Sequence, residues 1–304
     1  MRERIKCSQN FLTSRELVRN LLEKSSVSQN DTVLEIGAGQ GIITQELLSH
    51  AKKVITFEVD RNLYGKLRER FKDSSEKLEV IPEDFLDFSL PTSEYKIFAN
   101  PPFNIISGII KKLIFSANSP LDTYLVIQKE ASLKFGGLPL DNKNSLMATL
   151  IKTQFAIEIF HKFKREDFYP IPSVEIVMMR IKKLHNPPIS GSSIDLYRDF
   201  VAYTYSQFQP DVLKGLSQVM RQQVLENIII KMRKIPLFKK PTNLETEHWV
   251  LLFEEFLQHS NKDQKEKVKG FFKKLQGQQN KLQKSHRTRL DKNWKIYSHA
   301  KRGS

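Results

Sequence analysis

The residues with the most chemical content stand at Asn100-Pro101-Pro102-Phe103, directly after an apolar run. Consecutive prolines fix φ and stop a strand, so a rigid turn is one account of the segment. It leaves unexplained the asparagine before the prolines and the aromatic after them. An exocyclic amine on a nucleobase is a poor nucleophile, because its lone pair is delocalised into the ring. The Asn100 side-chain oxygen and the Pro101 carbonyl are two acceptors able to hold both N–H bonds of such an amine out of the ring plane. The nitrogen then becomes more tetrahedral and more nucleophilic, through electrostatic preorganisation rather than a general base. Phe103 can stack on the base and offer its π-face to a positively charged sulfonium. The pattern fits in-line methyl transfer to an amino nitrogen.

A second group of residues suits the donor of that methyl. The run Glu35-Ile36-Gly37-Ala38-Gly39-Gln40-Gly41 follows an apolar stretch and opens a helical pattern. Glycines there let the backbone turn sharply and lie flat against a ligand at the edge of a sheet. The spacing is not the G-x-G-x-x-G of a dinucleotide site. An acid beside the turn, Glu35, suits a cation such as the amino group of the methionine portion of S-adenosyl-L-methionine. About twenty residues further on, Glu58 stands where an acid accepts from both ribose hydroxyls, with Asp60 a lesser candidate. Asp84 can accept from an adenine amino group while Phe85 packs on the ring. Each acid alone reads as a solvated loop charge; three at successive strand ends follow the order amino acid, ribose, base.

These residues need a frame. Short apolar runs at 32–36, 53–59, 77–81, 95–99 and 123–128 alternate with helical patterns, the signature of an open α/β sheet with right-handed crossovers. Thr13 with Glu16 predicts a capping box for a helix carrying Leu17, Val18, Leu21 and Leu22. Runs at 155–163 and 174–181 predict a closing hairpin around the segment Lys164–Ser173. The Pro-, Gly- and Ser-rich stretch 186–193 reads as a linker. Beyond it, 196–208, 216–230 and 246–257 predict helices of a small all-α unit. Val268, Phe271, Phe272 and Leu275 keep the spacing of one amphipathic basic helix. The expected division is therefore 1–185, 186–260 and a basic extension at 261–304.

Composition fits an ordinary globular protein, with 304 residues, 39% hydrophobic and 27% charged. No stretch reaches the length of a membrane span, and the opening residues lack the apolar core of a signal peptide. Cys7 is the single cysteine, which excludes a disulfide framework and a Cys-rich zinc site. Seven histidines keep no metal-ligand spacing, so no metal is expected. The net charge is +15, and residues 261–304 carry fourteen Lys/Arg against three Asp/Glu. A basic extension on a nearly balanced body implies a polyanionic partner, nucleic acid ahead of a membrane, or else a solvated tail.

Asn-Pro-Pro-aromatic with an acidic glycine turn resembles the amino-methyltransferases. The opening "SQNFL" (8–12), with "EIGAGQGIIT", "FEVD", "NPPF" and "DFYPIP", resembles more specifically the rRNA adenine N6-dimethyltransferases. "SQNF" and the helix "SGIIKKLIF" resemble the erythromycin-resistance branch, which modifies 23S rRNA, more than the small-subunit branch. The resemblance spans about residues 5–260. It implies a Rossmann-like S-adenosylmethionine-dependent methyltransferase sheet with a smaller C-terminal all-α domain; the basic tail exceeds the compact family members. It implies that Gln9, Asn10, Phe11 and Leu12 close over the methionine part of the cofactor. It further implies that Gly37, Glu58, Asp84 and Asn100 contact the cofactor; Glu35, Gly39 and Phe85 are placed with them by the reading of the glycine turn and strand ends. Phe168 matches an aromatic that stacks on the target adenine opposite Phe103; by sequence physics alone it reads as a core aromatic. Resistance to macrolide-type antibiotics is a further implication.

The chain departs from that pattern in placing Pro101 second and Phe103 last, where the family commonly has Ile or Leu and then Tyr. "SVEIV" also replaces a more usual Val-Asn/Asp-Ser. The expectation is a cytoplasmic, monomeric enzyme acting on a loop adenine, since a base inside RNA must be unstacked before it reacts. Alternatives are the small-subunit rRNA, a DNA adenine or protein amide target, or a nucleic-acid-binding module that kept the fold without catalysis.

Overall fold

The structure, a computed structural model, describes residues 10–138, 144–207, 211–231 and 240–286. Gln9 and residues 287–304 lie outside the described residues. The chain begins with β1 (Phe11–Leu12) and α1 (Arg15–Lys24). It then alternates through β2 (Thr32–Ile36), α2 (Ile42–His50), β3 (Lys53–Phe57), α3 (Arg61–Arg70), β4 (Leu78–Ile81), β5 (Lys96–Ala99), α4 (Ile106–Phe115) and β6 (Asp122–Gln128). Helices α5 (Lys129–Gly136) and α6 (Leu146–Lys152) lead to β7 (Phe155–Lys162), β8 (Phe168–Tyr169) and β9 (Ile176–Lys183).

The seven-stranded sheet has the order β4-β3-β2-β5-β6-β9-β7. The first five strands are parallel, and β9 joins β6 and β7 antiparallel to both. The expected hairpin is thus present. From β2 the chain winds outward to β4, then crosses back to β5 on the other side of β2. At that topological switch the loops after neighbouring strands splay apart and leave a crevice at the carboxyl edge. The glycine turn follows β2 and the Asn-Pro-Pro turn follows β5, so the switch point brings the two together.

Alternation along the strands divides the core between two faces. Leu34, Ile36, Ile97 and Ala99 pack with Ile109, Ile110 and Leu113 of α4. Val33, Val54, Phe98 and Tyr124 pack with Leu21 and Leu22 of α1 and Leu47 of α2. Both faces being covered is why the strands read as nearly continuous apolar runs. The antiparallel addition is pinned by Arg180, whose Nε and Nη2 each lie 2.8 Å from the buried Asp122 carboxylate.

Helix α1 forms as expected, but its cap differs. Ser14 is the N-cap and accepts from the Leu17 N–H at 3.1 Å. Thr13 is drawn out of the helix because its N–H and its hydroxyl both donate to the Asp167 carbonyl, at 3.0 and 3.2 Å.

The described residues after Pro187 form a second compact unit. It holds α7 (Ser193–Ser206), α8 (Val212–Leu216), α9 (Gln222–Lys231), α10 (Thr246–His259), α11 (Lys262–Val268) and α12 (Phe271–His286). Its core is aromatic, with Phe200 4.9 Å from Phe256 and Tyr197 5.1 Å from Phe253, centroid to centroid. The pattern over 216–230 does not make one helix; it splits between α8 and α9. Nor do Val268, Phe271, Phe272 and Leu275 share one helix. Val268 ends α11, Gly270 turns the chain at φ 78°, and α12 starts anew. Asp199 on α7 fixes that start, accepting from the N–H groups of Gly270 at 2.7 Å and Phe272 at 2.9 Å. Residues 261–286 are therefore folded helices rather than a loose basic tail, and α12 lies along α7.

Candidate active site

The turn after β2 is held by the end of β3. The N–H groups of Gly37 and Ala38 donate to the Phe57 carbonyl at 2.9 and 3.2 Å. Gly39 N–H donates to Glu58 Oε2 and Asp60 N–H to Glu58 Oε1, each at 2.9 Å. Glu58, 2% exposed, thus staples the glycine turn. Burial pushes its carboxyl up, against the pull of the two backbone donors, and the charge of Asp60 adds to the rise. Asp60 itself caps α3, accepting from Asn62 and Leu63.

Gly37 and Gly39 sit at φ 76° and 57°, where a side chain is strained. Space adds to the requirement. A Cβ on Gly37 would meet Pro102 Cδ at 3.3 Å and Pro101 Cα at 3.6 Å; one on Gly39 would meet the Phe11 ring at 2.8 Å. The glycine turn thus lies in van der Waals reach of the Asn-Pro-Pro turn and of the N-terminal segment.

Glu35 shares the Val33 face of β2 and is 1% exposed. Thr44 on α2 donates to its Oε2 at 2.6 Å, and Oε1 has no hydrogen-bond partner. Desolvation pushes its carboxyl up to about 7 against the pull of Thr44, and the charge of Glu58 adds to the rise. A partnerless buried carboxylate oxygen next to a bare glycine turn fits a group with a cationic amino-acid head.

The two-stranded sheet of β1 and β8 fastens the N-terminal segment to the segment around Phe168. Phe11 pairs with Tyr169 and Leu12 with Phe168. Asn10 Nδ2 donates to the Pro170 carbonyl at 2.6 Å, and Asn100 Nδ2 donates to the Asn10 carbonyl at 2.8 Å. The second bond uses the donor end of the Asn100 amide and so sets which end of it remains for a ligand. That end is the acceptor, Oδ1.

A cavity of about 450 Å³ opens at this point, within the 300–1,000 Å³ usual for small-molecule sites. Of the residues singled out in the sequence, Asn10, Phe11, Leu12, Gly37, Asn100 and Pro101 line it. Gly39 is covered by the Phe11 ring, and Glu35 and Glu58 lie behind the turn that the wall is made of. Asp84 is exposed and accepts from the Leu86 N–H at 2.9 Å, capping a turn of its own. Phe103 is half-buried against the core that contains Val33.

Two of the expected aromatics are buried. Phe85 is buried, edge-on to Phe57 at 5.2 Å, because the turn after β4 folds it into the core rather than toward the cavity. Phe168 is 2% exposed, edge-on to Phe163 at 5.1 Å. Its neighbour Tyr169 stands on the cavity wall instead. Strand alternation places adjacent residues on opposite faces, and that signal was available in the sequence.

Arg15, Gln40 and Arg70 also line the cavity and were not anticipated. Arg70 reaches the Gln40 carbonyl at 2.7 Å, and the buried Glu46 holds Arg15 at 2.8 Å. These are contacts between distant elements, which no local pattern announces. Among the described residues no group of three His, Cys, Asp or Glu could hold a metal ion, and no helix is long and apolar enough to cross a membrane.

Comparison with known proteins fits this arrangement. Residues 1–258 match the family described as ribosomal RNA adenine dimethylase. An rRNA adenine N-6-methyltransferase from Escherichia coli is 31% identical over 240 residues, covering 74% of this chain and 95% of that protein. A ribosomal RNA small subunit methyltransferase A from Persephonella marina is 27% identical over 262 residues, covering 84% of this chain and 95% of its own. Among solved structures, the 23S rRNA methyltransferase ErmE superposes with a TM-score of 0.71 at 24% identity, over 82% of this chain and all of that one. A Plasmodium falciparum dimethyladenosine transferase does so at 0.66 and 21% identity, over 83% and 100%. Those two show the fold. The expected α/β methyltransferase architecture and the expected family therefore both hold. With 258 of its 304 residues matched and a relative of 31% identity along three quarters of its length, the chain belongs to the ribosomal RNA adenine dimethylase family and is an rRNA adenine methyltransferase.

Proposed function

We propose that this protein transfers methyl groups from S-adenosyl-L-methionine to the N6 amine of one adenine in 23S rRNA. The observation that carries the chemistry is the shared wall on which Gly37, Asn100 and Pro101 meet. The group that fits beside Gly37 and Ala38 supplies, when bound, a methyl made electrophilic by a sulfonium. Every remaining part of the task falls to the chain.

Phe57 and Glu58 hold the glycine turn so that Gly37 and Ala38 face the cavity with no side chain beyond a methyl. Asn100, its Nδ2 committed to the Asn10 carbonyl, offers Oδ1 to one N–H of the amine. The Pro101 carbonyl, whose peptide ends at the hydrogen-free nitrogen of Pro102, accepts from the other. Two fixed acceptors draw the N–H bonds out of the ring plane and turn the lone pair toward the methyl. Neither acceptor needs to reorganise during the reaction, which is where the rate gain arises. The β1–β8 sheet closes the N-terminal segment over one side of the cavity and helps to exclude water.

The 23S target rests on the "SQNF" and "SGIIKKLIF" segments and on the higher identity to the rRNA adenine N-6-methyltransferases than to the small-subunit enzyme. A methyl placed there would hinder macrolide-type antibiotics. Basic residues of the C-terminal unit would hold phosphates without reading sequence. The protein acts as a monomer in the cytoplasm in this reading.

The test is labelled-methyl transfer to protein-free 23S rRNA, to 16S rRNA and to duplex DNA, with sites mapped by reverse-transcription stops. One strong stop in the peptidyl-transferase region of 23S rRNA is expected. Stops confined to 16S rRNA would keep the chemistry and replace the target with the small-subunit one; transfer to DNA alone would overturn the rRNA reading.

A further inference from the structure

We propose that Lys112, on α4, is a positioning residue for the cofactor's adenine, because it fixes the turn that presents Asp84. The inference rests on the reading of S-adenosyl-L-methionine as the methyl donor and deepens it by naming what holds the adenine end of its site.

The turn lies at residues 84–88, between β4 and β5. Asp84 Oδ1 accepts from the Leu86 N–H at 2.9 Å. The Asp84 carbonyl accepts from the Asp87 N–H at 2.9 Å, and the Phe85 carbonyl from the Phe88 N–H at 3.3 Å. Two further carbonyls are met from outside the turn. Lys112 Nζ donates to the Leu86 carbonyl at 2.7 Å and to the Phe88 carbonyl. The same ammonium stands over the Phe85 ring, 5.3 Å from its centroid. One side chain thus grips Phe85, Leu86 and Phe88 together.

The surroundings fit that task. Gly108 lies one helical turn before Lys112, on the same face of α4. A Cβ there would meet both Leu86 methyl carbons at 3.2 Å, so the bare position lets the turn settle against the helix. On its other side the turn is anchored by Phe57, edge-on to Phe85 at 5.2 Å and to Phe88 at 4.7 Å. The carbonyl of Phe57 also holds Gly37 and Ala38. Helix α4 itself starts just after Asn100–Phe103. Lys112 therefore ties the Asp84 turn to the helix that follows the two acceptors, and Phe57 ties it to the glycine turn.

Closing a turn with a cation costs desolvation. Burial pushes the Lys112 ammonium down, against the attraction of Asp87 and Asp84. What it gains is a charge-assisted grip on two carbonyls, with Asp84 left exposed on a fixed backbone. Oδ1 is taken by Leu86, which leaves Oδ2 to accept from the amino group of adenine. Inosine carries a carbonyl where adenine carries that amine. A carboxylate held in place discriminates against it, whereas one on a loose turn swings aside.

The experiment uses the full chain and measures, by calorimetry, affinity for S-adenosylhomocysteine and S-inosylhomocysteine. The parent should prefer the adenosine compound by roughly tenfold or more, as for one hydrogen bond to a charged group. Lys112→Met should lose most of that preference, and Lys112→Arg, which keeps a cation able to donate, should retain it. Asp84→Asn should lose the preference alone, and adding Lys112→Met to it should change the ratio by less than about twofold, since the two act as one unit. Without ligand, amide hydrogen exchange at Leu86 and Phe88 should quicken about tenfold in Lys112→Met. A folded Lys112→Met with the parent's preference, or with parent-like exchange in the turn, would overturn the proposal. So would additive effects in the double variant, or a folded Lys112→Arg without the preference. Equal affinity of the parent for the two compounds would remove the role of Asp84 and the proposal with it, while leaving methyl transfer to rRNA intact. Binding of neither S-adenosylmethionine nor S-adenosylhomocysteine by the parent would overturn the donor reading itself.

Discussion

Replacing Glu35 by Gln should make the protein more stable at alkaline pH and leave it nearly unchanged at acid pH. The wild-type carboxyl is buried, with one oxygen bonded to Thr44 and the other without a partner. Desolvation lifts it from an ordinary 4.5 to about 7. Between those values the native chain keeps a proton that the unfolded chain has lost. Stability therefore falls as pH rises through that window and levels off above about 7. At roughly 1.4 kcal/mol for each tenfold, the full fall is about 3 kcal/mol. Gln has the same shape and never ionises, so its variant lacks this fall. The protonated acid and the amide place a donor at the same partnerless position. Any fixed cost of the substitution is thus common to both ends of the pH range and cancels in the comparison. Urea unfolding of the two proteins without ligand, at pH 5 and pH 8, reads the effect. The gap in unfolding free energy should grow by about 2.5 kcal/mol in favour of Gln on going from pH 5 to pH 8, the rest of the fall lying below pH 5. A gap that is constant with pH, or that widens toward acid, would refute the reasoning.

Gly37→Ala should weaken S-adenosylmethionine binding and slow transfer together. The residue sits at φ 76° and the new methyl would press on Pro102 at 3.3 Å; the backbone cost alone is about 1–2 kcal/mol. Calorimetric affinity equal to the parent's would contradict this. Removing residues 287–304, which carry six Lys/Arg and one Asp, should lower rRNA affinity and flatten its salt dependence. The slope should fall by as much as about 4 in log–log terms. A cut after residue 260 should instead destabilise the protein, because it strips the buried Val268 and α12 from α7. Equal salt slopes for the parent and the shorter truncation would sink the phosphate-binding role of the segment.

Much of the site was legible because its parts are local. A glycine turn after an apolar run and an asparagine before two prolines are each defined by neighbours in sequence, and the sheet then only has to place them side by side. The alternation of strands and helices was legible for the same reason, each run being buried on both faces. What misled was set by contacts across the fold. Thr13 has the residue type of a cap, but the Asp167 carbonyl, 154 positions away, takes both of its donors and leaves Ser14 to cap. Val268 keeps helical spacing with Phe271, yet Gly270 and the Asp199 carboxylate start a new helix between them. Phe85 stands between acids in sequence and is still drawn inward by Phe57. Phe168 and Tyr169 differ by one position, yet the first is buried and the second stands on the cavity wall, a difference set by the pairing with β1.

The measurement that tests the central claim most directly compares Asn100→Ala with the parent on the RNA the parent methylates. Single-turnover methyl transfer and calorimetric affinity for S-adenosylmethionine are read on the same preparations. Loss of one fixed acceptor should slow the chemical step by about a hundredfold or more, while cofactor affinity changes only a few-fold. Transfer at close to the parent rate would contradict the account, and so would a loss of transfer explained wholly by a loss of cofactor binding.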